Sequence, residues 1–241
     1  GFIGLQPTID TLDPVDPFRV QVGLPNGSVT VISPPQQARG GGTGITFLVT
    51  SSDETVGLLE TSSTLDDSAV VYIPPGESVT PSSVATGGVA HDGVGAGVTT
   101  ISAQAPDFDP VAGGVVDVTV SQPVITLGNF PSVGIGAGLQ PRSSQRAYLS
   151  ASQHGGVTVH IEVADTNLAL VTDTDVIPGS QSVDLFVPDG GTYAQFYVQG
   201  KENTTGVIHL TASAPGFVTG VDSVDLVQPE IRMLGLASTQ D

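Results

Sequence analysis

Apolar and polar residues alternate along several short segments of this chain. Between residues 157 and 163, Val and Ile occupy every second position, and Thr158, His160 and Glu162 lie between them. The same period of two recurs over residues 101–105, 116–120, 183–187, 194–198 and 208–212. Side chains of a β-strand point alternately to its two faces, so this pattern predicts half-buried strands. No long stretch has the period of a helix.

Turn sequences separate these segments. Asn26-Gly27, Pro75-Gly76 and Asp189-Gly190-Gly191 are typical of β-turns. Many short strands joined by turns predict an all-β chain whose strands pack as a sandwich.

A short sequence mark, Gln-Pro followed one residue later by Ile, indicates an internal repeat. It begins at Gln6, Gln122 and Gln228. The spacings are 122 − 6 = 116 and 228 − 122 = 106 residues, each the length of one sandwich domain. We therefore predict one domain over residues 1–121 and a second over 122–227. Residues 228–241 are predicted to be a linker, the start of a further repeat, or a donated strand.

The two halves also agree in the order of their motifs. Ile73-Pro74-Pro75-Gly76 corresponds to Val187-Pro188-Asp189-Gly190, and an aspartate turn at Asp53 corresponds to one at Asp165. Residues 77–97 depart from this agreement as a Ser/Gly/Val-rich insertion. Residues 2–5 precede the first mark as the end of a strand precedes the second, so they are predicted to be the tail of a preceding strand.

The segments "SAQAPDF…VDVTV", "TASAPGF…VDSVDLV" and "VPDGGTYAQFYVQG" resemble strands of bacterial Ig-like repeats, a family of cell-surface and adhesin-type proteins. The resemblance covers most of both halves. It implies two tandem immunoglobulin-like Greek-key β-sandwich domains. It is informative about fold and poor for function, because such repeats serve as spacers, adhesin stalks, sheath components and enzyme appendages.

Composition narrows the functional classes. The chain has 24 acidic and six basic residues, with a net charge of −18. Nucleic acid would be repelled. There is no cysteine, which removes disulfides, zinc–thiolate sites and thiol nucleophiles and fits many exported microbial proteins. No apolar run reaches the length of a membrane span.

Aspartates supply the candidate metal ligands. Asp10, Asp13 and Asp16 are spaced by three residues, and Asp107 and Asp109 lie near the end of the first repeat. Calcium prefers several carboxylate oxygens, and the resemblance implies calcium at domain linkers. Solvated turns are the alternative explanation, since Asp is a favoured turn residue.

Other candidate chemistry is sparse. His160 and His209 are predicted on outward strand faces, and His91 and His154 in Gly-rich loops. No motif pairs a nucleophile with a base or cradles a phosphate. Tyr193 and Tyr197 are candidates for stacking on a sugar, with packing at a sheet face as the alternative.

The sequence therefore predicts a non-catalytic structural repeat of a microbial extracellular or cell-surface protein, as an adhesin stalk, sheath or filament subunit. Its expected partners are copies of itself or adjacent Ig-like repeats, joined through the chain ends. A binding module for a glycan or a host protein is the alternative.

Overall fold

The computed structural model describes residues 1–26, 28–109 and 112–233. The chain divides into two compact units, Gly1–Pro123 (unit 1) and Val124–Asp241 (unit 2). Both are all-β, with helical structure in the described residues confined to 3-10 turns at Val84–Thr86 and Ala112–Gly114. Leu234–Asp241, which belong to the predicted segment 228–241, lie outside the described residues; Gln228–Met233 form no strand.

The described part of unit 1 contains these strands: β1 (Phe2–Ile3), β2 (Thr8–Asp10), β3 (Asp16–Val20), β4 (Gly23–Asn26), β5 (Ser28–Pro35), β6 (Ile45–Ser51), β7 (Gly57–Glu60), β8 (Leu65–Asp66), β9 (Ser68–Ile73), β10 (Val89–Gly93), β11 (Gly97–Gln104) and β12 (Val115–Ser121). Those of unit 2 are β13 (Ile125–Gly128), β14 (Ile135–Gly136), β15 (Gln145–Leu149), β16 (Val157–Val163), β17 (Ala169–Thr172), β18 (Ser182–Val187), β19 (Tyr193–Gly200), β20 (Gly206–Ser213) and β21 (Gly220–Val227).

The two units share one topology. In unit 1 the sheets have the orders β1-β3-β10-β7-β8 and β2-β12-β11-β6-β9, with β4 and β5 as an added hairpin. In unit 2 the orders are β13-β15-β19-β17 and β14-β21-β20-β16-β18. Apart from β8 and the hairpin, each strand of unit 1 has a counterpart at the same place in unit 2. The predicted immunoglobulin-like sandwich fold is confirmed.

Each core forms from the inward residues of the alternating strands. The seven residues of β16 alternate between buried and more exposed, as the period of two predicts. Val and Ile are frequent at the buried positions, because β-branched side chains fit the pleated surface. The largest fully buried apolar side chains are Phe18, Leu59, Ile73, Ile101, Ile135, Ile161, Phe196, Ile208, Leu210 and Leu226.

The aspartate turns match in both units. The Asp53 carboxylate accepts hydrogen bonds from the backbone N–H and the hydroxyl of Thr55, at 2.9 and 2.6 Å. These bonds hold the pKa of Asp53 below its usual value. The Asp165 carboxylate accepts the equivalent bonds from the backbone N–H and the side-chain amide of Asn167, at 2.8 and 2.9 Å. Each turn therefore starts β7 or β17 with the same side-chain cap.

The prediction for residues 2–5 was wrong. Phe2 and Ile3 pair with Val20 and Arg19 of the same unit, and the Phe2 ring packs edge-on against Phe18 with centroids 5.3 Å apart. They form β1, the counterpart of β13, which pairs with β15 in the same way. Phe2 is partly buried and packs against the core of unit 1.

The first Gln-Pro mark is likewise not equivalent to the second. Ile9 lies in β2 and pairs with Val120, whereas Ile125 lies in β13. The counterpart of Ile9 is Ile135, which pairs with Leu226. The second and third marks do share a position, since each directly follows a closing strand, β12 or β21.

The predicted insertion over 77–97 is shorter than expected and contains a core strand. Val79 bridges to Gln21, and β10 pairs with β3. Val79 and β10 therefore occupy the positions that the single strand β19 occupies in unit 2. Register places the inserted segment at residues 81–88, where unit 2 has only Gln195. The apolar alternation of β10 was obscured by its small residues and by His91.

Candidate functional site

The predicted calcium ligands near the start of the chain lie at the end of β2, in the loop after it and at the start of β3, and each carboxylate accepts a hydrogen bond within unit 1. Asp13 accepts a 2.8 Å hydrogen bond from the N–H of Asp10, and Asp16 accepts one of 2.7 Å from the N–H of Gln6. The Asp10 carboxylate accepts a hydrogen bond from the hydroxyl of Ser121. These contacts are typical of turns, the alternative that the sequence left open.

The second acidic pair is exposed. Asp107 has a positive φ of 65°, as a turn residue does, and Asp109 is solvent-accessible beside it. In the ranges that the structure covers, no group of three or more His, Asp or Glu side chains is placed to hold a metal ion. Calcium at Asp10, Asp13, Asp16, Asp107 and Asp109 stays a prediction.

His91 occupies an unexpected position. It was predicted in a surface loop, but it lies in β10 with 0% exposure, directly opposite Leu59 of β7. Neither ring nitrogen has a hydrogen-bond partner among the described residues. Burial lowers the pKa of His91 below its usual value, opposed by the nearby charges of Asp16 and Asp92. An unpaired neutral imidazole in a core costs stability, since its polar atoms lose water without compensation.

A glycine makes room for this imidazole. A Cβ on Gly57 would lie 2.3 Å from His91 Nε2, closer than any contact between such atoms. In unit 2 the same positions hold Ala169 and Val198, because Gly200 pairs with Ala169 as Gly93 pairs with Gly57. Unit 1 thus combines a large side chain, His91, with a glycine, whereas unit 2 combines valine with alanine. The total side-chain volume at the two positions is similar in both cores. This compensation makes His91 a packing residue of unit 1.

The other histidines form no catalytic arrangement. His160 and Asp184 are partners on the outer face of unit 2, with Nδ1 and Oδ1 2.7 Å apart, and both side chains are well exposed. His154 contacts the carbonyl oxygen of Gly191 at 3.0 Å. Across the described ranges, no histidine ring is hydrogen-bonded to a Ser or Thr hydroxyl, so no activated nucleophile is assembled there.

Tyrosines come together on the outer face of unit 2. Tyr148 of β15 lies directly opposite Tyr193 of β19, with ring centroids 6.4 Å apart. The two residues are 39% and 42% exposed. The guanidinium carbon of Arg146 lies 4.4 Å from the centre of the Tyr193 ring, a cation–π contact. Thr126 and Gln195 are exposed on the same face. We call these five residues the tyrosine face.

The tyrosine face differs from the predicted pair, Tyr193 and Tyr197. Tyr197 is half-buried farther along β19, opposite Thr172, so the partner of Tyr193 is Tyr148. The pairing of β15 with β19 creates this contact, and sequence spacing alone does not reveal it. Gly128 helps, because a Cβ there would lie 3.3 Å from the Tyr148 ring.

No family model and no curated protein sequence matches the chain. Among solved structures, a chain named BspA_C_WT is similar over 91% of this chain and 94% of its own, at 10% identity and a TM-score of 0.38. The adhesin InvE of Yersinia pseudotuberculosis is similar over 91% of this chain and 56% of its own, at 13% identity and a TM-score of 0.33. CBD12 from CALX1.2 is similar over 86% of this chain and 76% of its own, at 10% identity and a TM-score of 0.34.

At these identities and TM-scores the likeness assigns no function, and membership of the bacterial Ig-like family stays a prediction. In the part of the chain that the structure covers, no helix has the length and apolar character needed to cross a membrane.

The His91–Gly57 packing can be tested by a double-mutant cycle. Gly57→Ala alone should lower the free energy of unfolding of unit 1 by about 1–3 kcal/mol, the usual cost of overpacking. In the His91→Val background the same change should cost much less, giving a coupling of about 1 kcal/mol or more. Urea unfolding followed by amide hydrogen exchange in peptides of each unit measures both values. Additive effects would contradict the contact.

His91 should also make unit 1 sensitive to acid. As pH falls below the usual histidine pKa of 6.5, the unfolded chain binds a proton that the folded unit does not, so stability is lost until the lower folded pKa is passed. Between pH 7.5 and pH 5.5, unit 1 should therefore lose more stability in the natural chain than in His91→Val. Equal losses in the two proteins, measured by the same exchange experiment, would show that His91 does not titrate in this way.

Proposed function

We propose that this chain is a non-catalytic structural segment of a microbial extracellular surface protein, and that its units bear tension along the chain. The observation that carries the proposal is the way each unit joins its first part to its last strand. β2 pairs in parallel with β12, and β14 pairs in parallel with β21. We call each such pair a terminal clamp.

The hydrogen bonds of the unit 1 clamp join β2 and its flanking residues to the closing strand β12. The N–H of Thr119 donates to the carbonyl oxygen of Pro7, and the N–H of Thr11 to that of Ser121, each at 2.9 Å. In unit 2 the N–H of Ala137 donates to the carbonyl oxygen of Val227 at 2.8 Å. The same arrangement is thus built twice from different residues.

Parallel pairing determines how the clamp responds to force. The entry of β2 and the exit of β12 are at opposite ends of the pair, because the two strands run in the same direction. Tension applied at both ends slides the strands past each other and strains all their hydrogen bonds together. An antiparallel pair pulled from one end would open one bond at a time. Resistance to such forced unfolding is governed by the unfolding rate, not by equilibrium stability.

The segment that joins the units is short. The carbonyl oxygen of Ser121 is bonded to the N–H of Thr11, and the N–H of Val124 is bonded to the hydroxyl of Ser150. Only Gln122 and Pro123 lie between these anchors, and proline fixes its own φ and restricts its predecessor. Tension that leaves the unit 1 clamp at β12 therefore enters unit 2 through these two residues and reaches the second clamp after β13. Further repeats joined at the chain ends are the partners that this role requires.

The clamp can be tested by single-molecule stretching of the full chain. Thr11→Pro removes the hydrogen bond to Ser121. Thr61→Pro removes a backbone bond of 2.8 Å to Thr64 in the β7–β8 turn, outside the clamp, together with the bonds that the Thr61 hydroxyl makes in that turn. The first loss should cost about 1 kcal/mol at equilibrium and the second at least as much, so Thr61→Pro is the stricter control. We expect the unfolding force of unit 1 to fall in Thr11→Pro and to stay unchanged in Thr61→Pro.

Unit 2 is the internal control, since its force should be the same in all three proteins. Equal effects of the two prolines on the unfolding force of unit 1 would contradict a clamp that resists tension.

A further inference from the structure

The sheet that carries the tyrosine face is almost free of charge. Arg146 is the only charged residue on β13, β15, β17 and β19, all of which lie within the described residues. The opposite sheet of unit 2 carries four carboxylates on its strands, from Glu162, Asp184, Asp222 and Asp225. The chain has a net charge of −18, yet the strands of this sheet carry no carboxylate and one cation.

Among the described residues, Arg146 has no partner of opposite charge. In the described residues, the only contact between a basic and an acidic side chain joins His160 and Asp184. The Nε atom of Arg146 is shielded from solvent and has no hydrogen-bond partner in that part of the chain. Its guanidinium is held instead by stacking on Tyr193. An arginine fixed in this way is pre-organised to meet a carboxylate, which it binds through two parallel N–H donors.

The neighbours of Arg146 are suited to a sugar. The two exposed tyrosine rings offer flat apolar surfaces, on which the C–H groups of a pyranose ring pack. Exposed Gln195 lies opposite Arg146, and exposed Thr126 lies opposite Tyr148. Their amide and hydroxyl groups are available to sugar hydroxyls. Aromatic rings beside a few placed polar groups are the usual make-up of a specific binding surface.

We propose that the tyrosine face of unit 2 binds an acidic saccharide, a glycan whose sugars carry carboxylate groups. The carboxylate pairs with Arg146, and the sugar rings stack on Tyr148 and Tyr193. This activity goes beyond the structural role proposed above and does not depend on it.

Charge density favours a carboxylated glycan over nucleic acid. Phosphate backbones are bound by many cations together, whereas this face has one. A glycan spaces its carboxylates at least one sugar apart, so a single arginine can serve one of them. Repulsion from the distant carboxylates of the chain is screened beyond about 8 Å at physiological ionic strength.

Unit 1 provides a matched control. Register places Arg19 of β3 at the position that Arg146 holds in β15, since Arg19 pairs with Ile3 as Arg146 pairs with Gly128. The tyrosines are replaced there, however, by Gln21 and Val79, which form the bridge equivalent to Tyr148–Tyr193. Arg19 thus has the same place in the sheet without the aromatic rings.

The test is binding of the full chain to immobilised oligosaccharides at physiological salt. The panel comprises carboxylated sugars (oligogalacturonate, oligoglucuronate and sialylated oligosaccharides), neutral cello- and malto-oligosaccharides, and polyglutamate as an anion that is not a sugar. We expect binding to at least one carboxylated sugar and weaker binding at higher salt. Arg146→Met and Tyr193→Leu should each weaken it by about tenfold or more, and Arg19→Met should leave it unchanged.

Three results would overturn the proposal: no binding to any carboxylated sugar, equal binding to neutral sugars or polyglutamate, or equal loss in Arg19→Met and Arg146→Met. Unchanged thermal unfolding of each variant excludes loss of the fold as the cause. Because stretching and sugar binding are separate measurements, failure of one proposal leaves the other standing.

Discussion

Each unit depends on a strand that changes sheets near its beginning. β1 belongs to one sheet and β2 to the other, and the same is true of β13 and β14. Gly4 and Asn129 follow β1 and β13 with φ values of 89° and 67°, the left-handed region that glycine and asparagine tolerate best. The chain can leave the first sheet there, and the clamp with the closing strand then ties the beginning of the fold to its end. Without this crossing, the first strand of each unit would pair in one sheet only and would not reach the closing strand in the other sheet.

Close packing beneath the clamp explains two glycines that sequence patterns do not. A Cβ on Gly93 would lie 2.8 Å from Ile9 Cδ1, and a Cβ on Gly200 would lie 2.6 Å from Leu226 Cδ1. Both glycines end the strand that faces the clamp across the core. Ile9 and Leu226 fill the space that the missing side chains leave, so each clamp is held from below by apolar contact as well as by hydrogen bonds.

The sandwich fold could be predicted because its signal is repeated. The alternation in β16, β19 and β20 is regular, and both aspartate turns use short-range side-chain bonds that the sequence displays directly. Predictions failed where equivalence depended on register. Gln6-Pro7 matches Gln122-Pro123 in letters, but the two lie before different strands. The sequence places His91 in a loop because the residues around it are rich in glycine, and its compensating partner, Gly57, is distant in sequence.

The tyrosine face could not be predicted from the sequence for the same reason. Tyr148 and Tyr193 are separated by many residues, and only the pairing of β15 with β19 brings them together. The sequence shows Tyr193 and Tyr197 close together, but in the structure Tyr193 is exposed and Tyr197 is half-buried. Pairing across strands, not spacing along them, determines which side chains can act together on a sheet.

Amide hydrogen exchange in the folded protein tests the clamp most directly, because it measures the free energy needed to open individual hydrogen bonds. The account predicts that the N–H groups of Thr11, Thr119 and Ala137 exchange only when their whole unit unfolds, with the same opening free energy as the central strands β11 and β20. Fast exchange of these amides while β11 and β20 remain protected would show that the clamp frays on its own, and would contradict its role in closing each unit.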